Sequence, residues 1–265
     1  MKLRLDGRVA LVSGGSKGIG RSIARELAEE GASVAITARG ADALQKTAAE
    51  LPNLNILTIP SDATNQEAAQ SAVARVMEVF GRLDILVNNV GGAGKFGGFG
   101  ELTDADWRST FDLNVLSLVH FVRAAEQHLR LSKAGRIINI SSIVGVQPGT
   151  FNPHYAVTKA ATINLSKFLA DYFARDGVLV NVVCPGPVHS ESWGENVRRL
   201  AGERNVALEE AWRQVEREES SKIPLGRVGE GDDVAGLVAF LVSERASWIT
   251  GSCFHINGGK LRTIF

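Results

Sequence analysis

Short, nearly continuous apolar runs alternate along this 265-residue chain with longer amphipathic stretches of helical period. The runs at 9–12, 33–37, 54–59, 83–87, 136–140 and 179–183 read as strands. The stretches 21–30, 41–50, 66–80 and 104–131, and one starting near 155, read as helices. Strands that are apolar on both faces need cover on both faces, which helices in β-α-β crossovers supply. The pattern predicts an α/β fold, a doubly wound parallel sheet of about seven strands with helices on both faces. No internal repeat interrupts it, and a single domain over 1–265 is expected. Ligands of such a sheet bind beyond the carboxyl ends of its strands.

Charge excludes several functions. Twenty-nine basic and 29 acidic residues cancel, so the broad positive field that nucleic acid binding requires is missing. The first residues break any apolar pattern with charges and no run reaches membrane-spanning length, so a cytoplasmic location without a membrane partner is expected. Cys184 and Cys253 are remote in sequence and form no CxxC pair, which predicts free, mostly buried thiols in a reducing compartment. The histidines at 120, 128, 154, 189 and 255 show no ligand spacing, and no metal is expected.

Two segments depart from the alternation. Residues 91–100 (GGAGKFGGFG) hold six glycines in ten, a backbone costly to fix and expected to be mobile. Residues 190–222 are charged and polar, with helical character around 206–219; they read either as a solvated linker and helix or as an insertion covering the substrate.

The first strand meets a glycine cluster. Gly14, Gly15, Gly18 and Gly20 give GGxxGxG, and Ile23 stands where GxGxxG would need a further glycine. A tight turn without ligand would also explain glycines alone. Here the turn opens a helix, so the backbone N–H groups of Gly14, Ser16, Gly18, Ile19 and Gly20 and the positive helix end can meet a pyrophosphate. Sites selective for NAD place a carboxylate at the end of the second strand, and this chain has Thr37-Ala38-Arg39 there. Arg39 can form planar charged bonds to a 2′-phosphate, with Lys17 approaching from the other side, so NADP(H) is expected in preference to NAD(H). Either cation alone would read as an ordinary exposed residue.

Tyr155 and Lys159 are four residues apart on a predicted helix and therefore share a face. An ammonium beside a phenol favours the phenolate and is expected to bring its pKa toward the range of acid/base catalysis. Ser142 ends the strand RIINIS and reaches toward the same crevice; Asn114 lies in the preceding helical stretch. A YxxxK pair on its own is common on solvated helices.

Taken together, these pieces resemble the short-chain dehydrogenase/reductase family over Leu5 to Gly259. The resemblance rests on Ser13-Gly14-Gly15-Ser16-Lys17-Gly18-Ile19-Gly20, Asp62, Asn88-Asn89-Val90-Gly91, Asn114, Ile140-Ser141-Ser142, Tyr155-x-x-x-Lys159 and Pro185-Gly186. It implies a Rossmann-type fold and the interconversion of a carbonyl and a secondary alcohol with NADP(H). Ser142 would polarise the carbonyl and Tyr155 pass the proton. Lys159 would bind the nicotinamide ribose and, with a water held at Asn114, feed a proton relay. Asp62 and Ala63 would meet the adenine and Asn89 the adenosine side. Gly91, Pro185 and Gly186 would border the cofactor, and Val188 and Ser190 the carboxamide. Ser13, Val90, Ser190 and Asn257 replace the family's usual threonine, alanine, threonine and aspartate.

Ile223-Pro224-Leu225-Gly226-Arg227 resembles the branch of 3-oxoacyl-[acyl-carrier-protein] reductases, which implies a homotetramer. Phe96, Phe99, Phe151 and Trp193 are candidates for the apolar wall of a substrate pocket. His154 and His189 flank the catalytic segments and read either as pocket residues or as packed ones. The substrate would be a small carbonyl or alcohol. A non-catalytic nucleotide sensor or scaffold is the rival reading, because fold alone does not establish activity.

Overall fold

A computed structural model describes residues 3–52 and 54–263. Seven parallel strands form one sheet: β1 (Val9–Ser13), β2 (Ser33–Ala38), β3 (Ile56–Pro60), β4 (Ile85–Asn88), β5 (Arg136–Ile140), β6 (Leu179–Pro185) and β7 (Cys253–Ile256). Their spatial order is β3-β2-β1-β4-β5-β6-β7, so the winding reverses between β1 and β4 and opens a crevice at their carboxyl ends. The expected doubly wound fold is the observed one.

Helices cover both faces. On one lie α1 (Gly18–Glu29), α2 (Ala41–Ala49) and α9 (Gly231–Val242); on the other α3 (Gln66–Phe80), α5 (Ser117–Leu131) and α6 (Pro153–Phe173). Ile23, Ala24, Leu27 and Ala28 recur on α1 at helical spacing and are buried against the sheet and α9. Burying a leucine such as Leu27 contributes about 1.5–3 kcal/mol, and Leu27→Ala would remove about 2–5 kcal/mol because a cavity is left as well. No helix among the described residues is long and apolar enough to cross a membrane.

Three expectations need correction. The stretch 104–131 is not one regular helix: α4 (Asp104–Phe111) passes through a π-turn at Asp112–Leu116 into α5. Residues 190–222 are no linker. They form a helical hairpin, α7 (Glu191–Arg204) and α8 (Leu208–Ser220), with a core of its own from Trp193, Val197, Ala201, Ala211 and Val215. Polar composition concealed this because only one narrow stripe of each helix is buried. The cysteines are not isolated either. Pairing of β6 with β7 brings the Sγ atoms of Cys184 and Cys253 to 3.4 Å, with Cys184 buried and Cys253 exposed.

Candidate active site

The turn after β1 is shaped by glycine. Gly14 has φ +68° and Gly18 φ +53°, conformations that favour glycine, and a Cβ on Gly20 would collide with the carbonyl of Gly14. Asn89, just beyond β4, clasps the turn: its Nδ2 donates to the carbonyls of Ser13 and Gly14, both at 3.1 Å, and its own N–H donates to the Ser13 hydroxyl. Asn89 thus reaches the turn itself. The Ser16 carbonyl accepts from Thr47 at 2.8 Å, and Ile19 packs on the core. No side chain caps the start of α1, so the first N–H groups of that helix are open to an anion.

Arg39 lies exposed just past β2 and takes no ion pair among the described residues. It faces Asp62, whose carboxyl is held below its ordinary range by bonds from the backbone and hydroxyl of Thr64, with Arg39 adding to the effect. Ala63 beside it is buried and its carbonyl meets His120 at 3.3 Å. Lys17 departs from expectation, because its ammonium is directed at Glu195 of α7, 3.9 Å away.

The catalytic candidates converge beyond β4 and β5. Ser142 is the second residue after β5; its Oγ accepts from the N–H of Val144, leaving its hydrogen free to donate. Tyr155 and Lys159 occupy successive turns of α6, with Nζ of Lys159 5.5 Å from the centre of the Tyr155 ring. That ammonium donates to the carbonyl of Ile140 at 2.9 Å. Burial pushes Tyr155 up to about 12, against a hydrogen bond from Ser142 that lowers it. Burial likewise pushes Lys159 down to about 8. Desolvation, not the neighbouring ammonium, therefore dominates the phenol, contrary to the depressed pKa expected from sequence.

Asn114 sits in the π-turn, a distortion frequent at functional sites. Its Nδ2 donates to the carbonyls of Gly92 and Thr110, both at 2.8 Å, and its Oδ1 accepts from Gly92 at 3.0 Å. Asn114 thereby braces the start of the glycine-rich segment beside Gly91. That segment is pinned elsewhere too: the Asn152 carboxamide accepts from Gly97 at 3.0 Å, and Nε2 of His154 meets the carbonyls of Ala93 and Lys95. Expected mobility gives way to anchoring because α6 supplies partners for the loop's backbone groups.

His154 is therefore fully buried and does not line a pocket. His189 borders a cavity beside the glycine turn, together with Gly18, Ser190 and Trp212, whereas Trp193 differs from expectation. Both ring nitrogens of His189 are engaged, by Glu216 and Glu230 at 2.7 Å each, and Trp193 is buried in the hairpin core. Phe96 and Phe151 are half-exposed and flank the Arg199 guanidinium, 5.3 and 5.7 Å from their ring centres. With Lys95, Glu101 and Glu203 they line a cavity of about 420 Å³. Phe99 lies outside it, largely exposed.

Pro185 ends β6. A Cβ on Gly186 would press on Asn257, and Val188 bridges to Gly229. Ser190 caps α7 by accepting from the N–H of Trp193, and the start of α7 approaches the glycine turn closely enough that a Cβ on Gly18 would touch Ser190 at 3.2 Å.

Some supporting contacts escaped the sequence reading, which met Asn88 and Ser141 only as members of motifs. Asn88 donates to Asn139, and Asn139 to Ser166, at 2.9 and 2.8 Å, a buried polar chain linking β4, β5 and α6 under the site. The Ser141 hydroxyl donates to the Lys159 carbonyl at 2.8 Å, and Gly145 lets its turn lie against the same peptide. The available signal was polar residues inside an apolar strand and Thr158, Thr162 and Ser166 spaced by four.

A family profile described as enoyl-(acyl carrier protein) reductase matches residues 14–260. An uncharacterized oxidoreductase of Methylorubrum extorquens is 37% identical over 260 residues, covering 97% of this chain and 98% of that protein. The 3-oxoacyl-[acyl-carrier-protein] reductase FabG of Haemophilus influenzae is 33% identical over 258 residues, covering 96% of this chain and 98% of its own length. L-sorbose reductase from Gluconobacter frateurii, solved with NADPH and L-sorbose, superposes with a TM-score of 0.92 at 32% identity over 100% of both chains. By its fold, its motifs and these similarities, the chain belongs to the short-chain dehydrogenase/reductase family of oxidoreductases.

Proposed function

We propose that the chain is a single catalytic domain that reduces a ketone or aldehyde to an alcohol with NADPH, or runs the reverse reaction. The observation that carries this reading is the convergence of Ser142, Tyr155 and Lys159 on one crevice beside the glycine turn. The residues present fit a dinucleotide: α1 begins without a side-chain cap, and Gly14 and Gly91 leave space where a Cβ would press on Asn89 and Lys159. Gly14, Ser16, Gly18, Ile19 and Gly20 would hold the pyrophosphate. Asp62, Ala63 and Asn89 would border the adenosine half, and Gly91, Pro185, Gly186, Val188 and Ser190 the nicotinamide. Arg39 would pair with the 2′-phosphate, which favours NADP(H).

Bound there, NADPH supplies the hydride to the carbonyl carbon. The Ser142 hydroxyl donates to the carbonyl oxygen and concentrates charge on it. Tyr155, held neutral by its burial, delivers the proton to that oxygen as it becomes an alkoxide. Lys159 would stabilise the resulting phenolate by its charge and border the ribose and water side of the site, from which the proton is returned. Both Nδ2 hydrogens of Asn114 are committed to Gly92 and Thr110, so a relay water would be held by a carbonyl oxygen of Asn114 and not by its amide N–H groups. Phe96 and Phe151, whose cavity includes none of the three catalytic candidates, would form the apolar rim of the substrate mouth.

A 3-oxoacyl thioester and a keto-sugar are the substrate classes to try first, since similar proteins are reductases of each. The outer face of α6 leaves Val157, Phe168 and Tyr172 exposed, which supports assembly into a homotetramer. The test is NADPH oxidation, followed by absorbance, with acetoacetyl thioester, L-sorbose and a panel of simple ketones. Wild type should turn over at least one, and Tyr155→Phe should lose about 10²–10⁴-fold while still binding NADPH. Tight NADPH binding without turnover of any carbonyl would reject the reductase reading in favour of a nucleotide sensor.

A further inference from the structure

Outside the crevice, one cluster of side chains has no part in the reaction just described. Cys184 is on β6, and Cys253 and His255 are on β7, two positions apart and so on one face of the sheet. His255 stands opposite Cys184 in the parallel register, and Cys253 stands opposite Val182. The two Sγ atoms are 3.4 Å apart, and Sγ of Cys253 is 3.5 Å from Nε2 of His255. All three ligand atoms lie within 4.8 Å of one another.

The separations of 3.4 and 3.5 Å are close to the edges of a coordination tetrahedron. With Zn–S about 2.3 Å and Zn–N about 2.0–2.1 Å, tetrahedral angles place two sulfurs about 3.8 Å apart and a sulfur and a nitrogen about 3.6 Å apart. The third side of the triangle, between Sγ of Cys184 and the His255 ring, is no longer than 4.8 Å, and side-chain rotation within the site can set it to that spacing.

We propose that Cys184, Cys253 and His255 form a binding site for one thiophilic divalent cation such as Zn²⁺, with the fourth position open to water. Two soft sulfurs and an imidazole select such an ion over hard oxygen-seeking cations. Two thiolates also balance its charge, so the ammonium of Lys159, which acts on Cys184 electrostatically, does not oppose binding. The sulfurs are unequal in access: Cys184 is buried and Cys253 exposed, so the exposed one is the entry point, and both give up their protons as the ion arrives. Occupancy would tie the edge strand β7 to the strand that carries Pro185 and Gly186 toward the crevice.

The proposal is independent of the reductase reading, and its readout is spectroscopic. Reduced protein is titrated anaerobically with Co²⁺, then with Zn²⁺, while the two cysteines, the only ones in the chain, are counted with a thiol reagent. Expected are one Co²⁺ per chain with a thiolate-to-metal charge-transfer band, its loss on adding Zn²⁺, and protection of both thiols by Zn²⁺. His255→Ala and Cys253→Ser should each weaken Co²⁺ binding at least tenfold, and Cys253→Ser should leave about half the charge-transfer intensity per bound ion; both substitutions are on the sheet's edge strand, and an unchanged circular dichroism spectrum reports that the fold is kept. A wild-type titration without charge transfer, a band of full intensity in Cys253→Ser, or thiols that join as a disulfide yet take up no Co²⁺ when reduced would each overturn the proposal.

Discussion

A Cβ on Gly91 would stand 2.8 Å from Nζ of Lys159 and 2.6 Å from Oδ1 of Asn114. The glycine is therefore the space in which the lysine's ammonium and the asparagine's carboxamide lie side by side. In Gly91→Ala both must move, and displacements approaching 1 Å at a reacting centre cost about 10²-fold in rate. A fall in kcat of about tenfold to a hundredfold is expected, with an unchanged circular dichroism spectrum. Steady-state kinetics with full kcat would show that the contact is dispensable.

Arg39 follows β2 without an ion-pair partner among the described residues. Charged hydrogen bonds of the kind it would offer a 2′-phosphate are worth about 1.5–3 kcal/mol, or roughly tenfold to a hundredfold in affinity. Arg39→Asp should lose that factor for NADPH and gain affinity for NADH. Fluorescence titration with the two nucleotides tests it, and an unaltered ratio of dissociation constants would remove Arg39 from cofactor selection.

His189 joins Glu216 of α8 to Glu230 beside α9. Burial disfavours its charged form, but the two carboxylates outweigh this and raise its pKa above the ordinary value. A raised folded pKa means that the stabilisation is complete below the unfolded value of about 6.5 and disappears as pH rises through the folded one. The melting temperature of wild type should therefore exceed that of His189→Gln most at mildly acidic pH, with the gap closing toward alkaline pH. A gap independent of pH would assign the residue a packing role alone.

The hairpin of α7 and α8 rests on the glycine turn at Ser190 and through Lys17 and Glu195. A nucleotide entering beneath it should slow its opening. Amide exchange over residues 191–220 is expected to slow on adding NADPH, and slow further with substrate. Equal exchange in free and bound protein would make the hairpin a fixed wall.

Much of this arrangement was legible in the sequence because backbone geometry dictates it. The strands at 33–38 and 136–140 must be apolar to lie in the middle of a covered sheet, and Gly14 and Gly18 must be glycine at positive φ. Tyr155 and Lys159 follow from helical spacing. What stayed hidden depends on packing between distant segments. Nothing local to His154 announces that its ring serves the carbonyls of Ala93 and Lys95, and nothing local to Cys184 announces Cys253. The charged run 190–222 conceals its core because a hairpin buries only a few positions per helix. The direction of the Tyr155 shift depends on how much water its surroundings exclude, which spacing does not encode.

The π-turn at Asp112–Leu116 also separates two tasks that one straight helix would couple. One extra residue in a turn rotates everything beyond it by about 100°. Thr110 before the turn and Asn114 within it face the glycine-rich segment; downstream, Leu118, Phe121, Val122, Ala125 and Leu129 face the sheet. The phase change lets each half keep its own stripe of partners. Removing a single residue here would turn the whole of α5 out of its seat, while substitutions before the turn can reshape the mouth of the crevice and leave the foundation untouched.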